Sequence, residues 1–134
     1  DDLKRVMQYR RTMVGTDGMW YPGCGGCHPR SIGTFPRVLG RYVREKQYIT
    51  LPEAIRRMTS LPAQVYGLKD KGLIVKGYDA DMVLFDADKI IDRADYGAFR
   101  TRCEGLNYVI VGGKTAAENA VFTGAKAGRI IRRP

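Results

Sequence analysis

Apolar side chains recur at helical spacing through the first half of the chain and at alternating spacing through much of the second. Leu3, Val6 and Met7 share one face, with Asp1 and Asp2 at the end where a helix dipole favours acids. A short β-branched and apolar run then predicts a strand from Thr12 to Thr16, cut off by Gly15-Thr16-Asp17-Gly18. Residues 18–35 are glycine-rich and without period, and read as a long loop of the kind that compact domains keep for binding or as a lid. Pro36 suits the first turn of a following helix, whose apolar stripe is Val38, Leu39, Tyr42 and Val43 and which runs to about Lys46.

The next helix carries the clearest local signal. Thr50-Leu51-Pro52-Glu53 is a capping box, in which the Thr50 hydroxyl accepts from the Glu53 amide and the Glu53 carboxylate reaches back to the first amide. Ala54, Leu51, Ile55 and Met58 form its apolar stripe, Leu61-Pro62 interrupts it, and Ala63 to Tyr66 adds one turn before Gly67 stops it. From Leu73 the period falls to two, predicting strands at Leu73–Val75, Met82–Phe85, Lys89–Ile91 and Tyr108–Val111, with a tight hairpin at Gly112-Gly113. Helices therefore come first and a small sheet afterwards, divided near Lys71-Gly72.

Composition narrows the class. A chain of 134 residues, 44% hydrophobic and 28% charged, is ordinary globular material for one domain or a piece of one. The N-terminal segment reads as a helix already under way, so the chain is expected to begin inside a longer protein. No apolar run approaches the roughly 20 residues needed to span a bilayer, and no basic-then-apolar leader opens the chain. A soluble, cytoplasmic protein without a membrane partner is expected. The net charge of +9 would attract phosphate, but the basic residues are spread along the chain and no aromatic-basic motif accompanies them, so no nucleic-acid partner is expected.

Several patterns bear on chemistry. Asp17 stands where a strand ends, the place at which barrel and open α/β enzymes keep their catalytic groups, while an acid in an ordinary Asp-Gly turn is the alternative. Cys24-Gly25-Gly26-Cys27-His28 has the spacing of redox, zinc and haem motifs. His28 is the only histidine and Cys103 the only other soft ligand, which leaves a metal or haem site short of partners. A small redox or metal-binding module on Cys24 and Cys27, and a basic nucleic-acid-binding module, are the two alternatives to an enzyme. Gly112-Gly113-Lys114-Thr115 is no phosphate loop, because Tyr108 occupies the position that needs the first glycine. Asp81 and Asp86 lie at opposite ends of one short strand and serve turns and edges.

Three stretches together resemble the carboxyl-terminal part of the D-aminoacylases, the N-acyl-D-amino-acid deacylases of the amidohydrolase superfamily. They are Gly15-Thr16-Asp17-Gly18, then His28-Pro29-Arg30 followed by Gly33-Thr34-Phe35-Pro36-Arg37-Val38-Leu39-Gly40 with Tyr42 and Arg44, and finally Glu53-Ala54-Ile55, Met58-Thr59-Ser60, Pro62-Ala63, Gly67-Leu68 and Gly77 through Ala80-Asp81-Met82-Val83-Leu84-Phe85-Asp86. The resemblance implies an α+β fragment. Residues 1–70 would be the end of a (β/α)₈ amidohydrolase barrel, its last helices and strand eight, with the active-site loop 17–35. Residues 71–134 would be the carboxyl-terminal strands of a small β-sandwich.

It further implies a zinc enzyme. Zinc lowers the pKa of a bound water, and Asp17, matching the aspartate at the end of strand eight, takes the proton and passes it to the departing amide nitrogen. Arg30 matches the arginine that holds the α-carboxylate of an N-acyl-D-amino acid, a task suited to a planar fork of donors. Gly18 and His28 belong to the same loop, His28 shaping it rather than binding metal. No metal site is complete in the segment. Asp17 is its one candidate, a weak ligand, and the family's cysteine and histidine ligands would precede residue 1, so no zinc is expected to bind the segment tightly. Cys24 and Cys27 do not match the family's ligand cysteine, and their insert departs from the usual loop. The isolated segment is expected to be inactive, to require the preceding polypeptide of the same protein as partner, and to self-associate through uncovered apolar surface and open sheet edges.

Overall fold

The computed structural model describes residues 2–19, 28–98 and 100–132. Helix α1 spans Asp2–Gln8 and buries Met7, whereas Leu3 and Val6 on the same predicted face are 48% and 54% exposed. The stretch expected to be a strand, Thr12–Thr16, is irregular backbone without a ladder, its main-chain ties being the Thr12 amide to the Tyr9 carbonyl at 3.1 Å and the Val14 amide to the Arg57 carbonyl at 3.3 Å. Strand residues need a neighbouring strand, and none lies beside this stretch among the described residues.

Helix α2 spans Arg30–Arg37, so the helix begins six residues before Pro36, inside the stretch expected to be a long loop, and Pro36 lies near the end of a helix rather than in its first turn. Pro29 starts the helix with a φ of −51° already set by its ring. Pro36 has no amide hydrogen to give its own turn. The helix then continues in wider π turns over Val38–Glu45, and the Lys46 amide donates five residues back to the Arg41 carbonyl at 2.9 Å. Val38 and Leu39 on this segment join Met7, Ala54 and Ile90 in the hydrophobic core.

Helix α3, Leu51–Met58, begins as its cap predicts, the Thr50 hydroxyl accepting from the Glu53 amide at 3.4 Å. The return half of the capping box is replaced. The Glu53 carboxylate accepts instead from Arg56 at 2.8 and 2.9 Å and from Arg57 at 2.7 Å. Arg57, 3% exposed, also donates to the Met7 carbonyl, and Arg56 donates to the Arg10 carbonyl at 2.6 Å. The two guanidiniums thus carry the charge of one acid to unpaired carbonyls at and beyond the carboxyl end of α1. The break after α3 falls at Thr59 (φ −132°, ψ −86°), two residues before Leu61, and Pro62 sits harmlessly in the first turn of α4, Ser60–Tyr66. Gly67 at φ 66° ends α4 as expected.

Four antiparallel strands follow in the order β1-β2-β3-β4: Met82–Phe85, Leu106–Val111, Lys114–Glu118 and Val121–Phe122. The first two were expected, as was the hairpin, whose Gly112 and Gly113 adopt φ of 54° and 78°. The third and fourth, rich in polar and small residues, lacked an alternating signal. Leu73–Val75 and Lys89–Ile91 are not strands. Ile74 is 90% exposed with no neighbouring ladder, and Ile91 makes a single bridge to Glu104 because its segment is coiled by an Ile90 amide bond to the Asp86 carbonyl at 2.8 Å.

That coiled segment is where the helices meet the sheet. A Cβ on Gly40 would stand 2.4 Å from the Ile90 carbonyl oxygen and 2.5 Å from Ile91 Cδ1, so only glycine allows the approach. Arg44 secures the same place with bonds to the carbonyls of Ile90 at 2.7 Å and Ala87 at 3.1 Å. At the far edge Lys71 pairs with Asp79 at 2.8 Å and with Asp81, whose carboxylate also accepts from the Gly112 amide at 2.7 Å. Asp81 therefore serves a turn, as expected. No helix among the described residues is long and apolar enough to cross a membrane.

The Glu53 junction yields the first prediction. Hydrogen bonds from Arg56 and then Arg57 hold the Glu53 carboxyl at about 2 against an ordinary 4.5. Its contribution is complete above pH 4.5 and is lost as pH falls towards 2. Urea titrations across that range should show falling stability in the wild type and a flatter profile in Glu53→Gln. Glu53→Ala, which strips a buried guanidinium of its acid, should cost about 3 kcal/mol near neutral pH.

Candidate functional site

The stretch after Val14 meets the first turn of α2. Within the stretch Gly18 donates its amide to the Thr16 hydroxyl at 3.2 Å, and from α2 Ser31 Oγ donates to the Met19 carbonyl at 3.1 Å. A Cβ on Gly18 would lie 2.8 Å from Ser31 Cα, so the loop approaches the helix as closely as its backbone permits. Arg30 completes the contact. Its Nε donates to the Asp17 carbonyl at 3.0 Å and its Nη2 meets the Asp17 carboxylate at 2.9 Å.

Asp17 adopts the left-handed region at φ 45°, a conformation that aspartate tolerates better than most residues. Its side chain is 85% exposed while that of Arg30 is 42% exposed. An ion pair this open contributes little to stability and is readily exchanged for another partner. The acid and the guanidinium are therefore adjacent and accessible.

His28 lies beside them. Its Nδ1 accepts from the Arg30 amide at 3.1 Å, and its Nε2 lies 2.9 Å from the Tyr96 hydroxyl. The two rings meet edge to face, with centroids 5.1 Å apart and planes at 71°. A cavity of about 300 Å³ opens here, bounded by Arg30, Thr34, Arg37, Tyr42, Asp95 and Tyr96. Arg37 is anchored at its back by Asp92, Nε to Oδ2 at 2.9 Å, and the Asp92 side chain is only 5% exposed. A second, more apolar cavity of about 330 Å³ lies between α2 and the sheet, lined by Ile32, Phe35, Leu39, Phe85 and Leu106.

The four residues singled out in the sequence, Asp17, Gly18, His28 and Arg30, thus converge on one rim. Tyr96, Tyr42 and the Arg37–Asp92 pair escaped sequence reasoning, since Tyr96 is 68 positions from the ring it touches and sits in a segment with no motif. Cys24 and Cys27 lie outside the described residues. Burial pushes the Cys103 thiol up, away from the thiolate form. Among the described residues no three His, Cys, Asp or Glu side chains come together as a metal site. Asp17 alone does not fit a zinc centre and supplies at most one oxygen ligand to it.

Comparison with known proteins gives the family. The chain matches the amidohydrolase family over residues 7–117. It is 44% identical to an N-acyl-D-glutamate deacylase of Alcaligenes xylosoxydans xylosoxydans over 137 aligned positions, covering 99% of this chain and 27% of that protein. The crystal structure of a D-aminoacylase superposes with a TM-score of 0.93 at 39% identity, over 98% of this chain and 27% of the other. The N-acyl-D-glutamate deacylase of Bordetella bronchiseptica, solved with zinc and a phosphonate that mimics the tetrahedral intermediate, gives a TM-score of 0.82 at 41% identity over 89% of this chain and 26% of the other. The chain spans about a quarter of the length of the relatives it matches. The cysteine module and the nucleic-acid module gain no support from these relatives.

Proposed function

Because the chain belongs to the amidohydrolase family, we propose that it is the carboxyl-terminal segment of a zinc-dependent N-acyl-D-amino-acid deacylase. Coverage of nearly all of this chain but only 27% of a deacylase relative supports the reading as a segment. The observation that carries the activity is the 2.9 Å contact of the exposed Asp17 carboxylate with Arg30, on a chain this similar to deacylases. In this reading residues 1–70 close the catalytic barrel, with the active-site residues on the segment before α2 and on its first turn, and residues 71–134 form the carboxyl-terminal share of a β-sandwich. The cation's remaining ligands belong to the polypeptide that precedes the segment.

Arg30 takes the α-carboxylate of the substrate, two parallel N–H bonds fixing both charge and orientation. Water oxygen adds to the acyl carbon and the C–N bond breaks. Asp17 carries one proton from that water to the departing nitrogen, leaving a free carboxylate and a D-amino acid. The exposed pair suits this exchange, since a substrate carboxylate on Arg30 releases Asp17 for proton transfer.

Kinetics of the whole enzyme on N-acetyl-D-amino acids, with L-forms as controls, test these assignments. Asp17→Asn should lower kcat by about 10³-fold, the range for loss of a positioned acid–base group. Arg30→Lys, which keeps charge but loses the fork, should act mainly on KM. Preference for L-substrates, or an Asp17→Asn variant with wild-type kcat, would refute the proposal. The 134-residue segment alone should turn over no such substrate, and zinc-dependent turnover by it would count decisively against the division of ligands. Leu3, Val6, Ile74, Val83 and Leu84, all about half exposed or more, should drive the isolated segment to self-associate. Sedimentation of a clean monomer at high concentration would contradict that expectation.

A further inference from the structure

Tyr96 does not belong to the loop that carries Asp17 and Arg30, yet the fold brings it there. It sits in a tight turn, in which the Ala98 amide donates to the Asp95 carbonyl at 3.0 Å and the Tyr96 amide donates to Asp95 Oδ1 at 2.7 Å. The turn follows Asp92, the buried acid that Arg37 holds from α2. The phenol is thereby presented to the imidazole of His28, with the hydroxyl 2.9 Å from Nε2.

The hydrogen bonds fix the tautomer. Nδ1 accepts from the Arg30 amide and must be bare, so a neutral ring carries its hydrogen on Nε2 and donates it to the Tyr96 hydroxyl oxygen. If the hydrogen moved to Nδ1, two N–H donors would face each other across the 3.1 Å now spanned by the Arg30 amide bond. Tyr96 supplies the acceptor that makes the working tautomer favourable.

We propose that Tyr96 is a positioning residue for the deacylation site, acting through His28 to hold the main chain of Arg30 and hence the direction of its guanidinium. The inference rests on the reading of Arg30 as the α-carboxylate ligand. It gives residues 71–134 a part in substrate binding. The turn keeps other ties, the Ser31 amide to the His28 carbonyl at 3.0 Å and the Gly33 amide to the Pro29 carbonyl at 2.9 Å. Loss of the hydroxyl should therefore displace Arg30 rather than unfold α2. Because the carboxylate is held alike before and during the reaction, the penalty falls on KM.

The test uses the whole enzyme that carries this segment, with Tyr96→Phe, His28→Asn and the double variant. Tyr96 is 71% exposed, so phenylalanine should leave the melting temperature unchanged. Tyr96→Phe should raise KM for an N-acetyl-D-amino acid about tenfold with kcat within twofold, a split that diffuse structural damage would not give. Asparagine at position 28 can still accept from the Arg30 amide two residues on, but it does not reach Tyr96. In that background Tyr96→Phe should change KM by less than about twofold. An unchanged KM in Tyr96→Phe, an equal fall in kcat, or additive effects in the double variant would overturn the proposal. A wild type inert towards every N-acyl-D-amino acid would overturn the functional reading as well, whereas an active wild type indifferent to Tyr96→Phe would overturn this inference alone.

Discussion

Gly40 lies so close to the backbone of Ile90 and Ile91 that no larger residue fits, and the rest of the molecule is arranged around that crossing. It is the point at which a helical half with its own core touches a sheet that has little core of its own. Leu39 beside it and Ile90 beneath it are both buried, and Arg44 ties the coiled segment from outside through two carbonyls. Two residues further on, Asp92 is drawn under α2 by Arg37. The turn that carries Tyr96 follows at once, so the contact at Gly40 also sets the reach of the phenol to His28.

Guanidinium groups do most of the polar joining. Arg57 and Arg56 reach carbonyls at and beyond the end of α1, Arg44 those of the coiled segment, and Arg30 the carbonyl of Asp17. Each also works at short range with several donors in a plane, which a lysine ammonium cannot reproduce. Arg37 and Arg93 complete the pattern by pairing with Asp92 and Glu104. Arginines spread along the sequence are therefore engaged in holding the chain together.

The ion pairs differ widely in burial. Arg57 and Asp92 are almost fully enclosed, and removing a partner from either leaves a charge without water. Asp17 and Arg30 remain open to solvent, where the same contact is weak. Under the proposed function that weakness serves turnover, in which both groups change partners.

Local rules were legible wherever a residue acts on its immediate neighbours. The Thr50 cap, the Gly67 stop and the Gly112-Gly113 hairpin follow from backbone preferences that need no distant contact. The motif residues Asp17, Gly18, His28 and Arg30 were legible as neighbours because they lie within one short stretch, although Arg30 opens α2 rather than lying in a loop. Elements that depend on a partner were not. Thr12–Thr16, Leu73–Val75 and Lys89–Ile91 have strand-like composition but no ladder, and the weakly patterned Lys114–Glu118 became a strand because β2 lies beside it. The Glu53 carboxylate likewise left its predicted amide for two arginines whose other ends were wanted elsewhere. The sequence by itself determined the order of helices and hairpin, since these rest on short-range sterics and side-chain chemistry. Only the tertiary structure decided which acids became structural, which apolar runs found a ladder, and that Tyr96 would meet His28, because ion pairing, strand pairing and ring contact depend on distances between residues far apart in the chain.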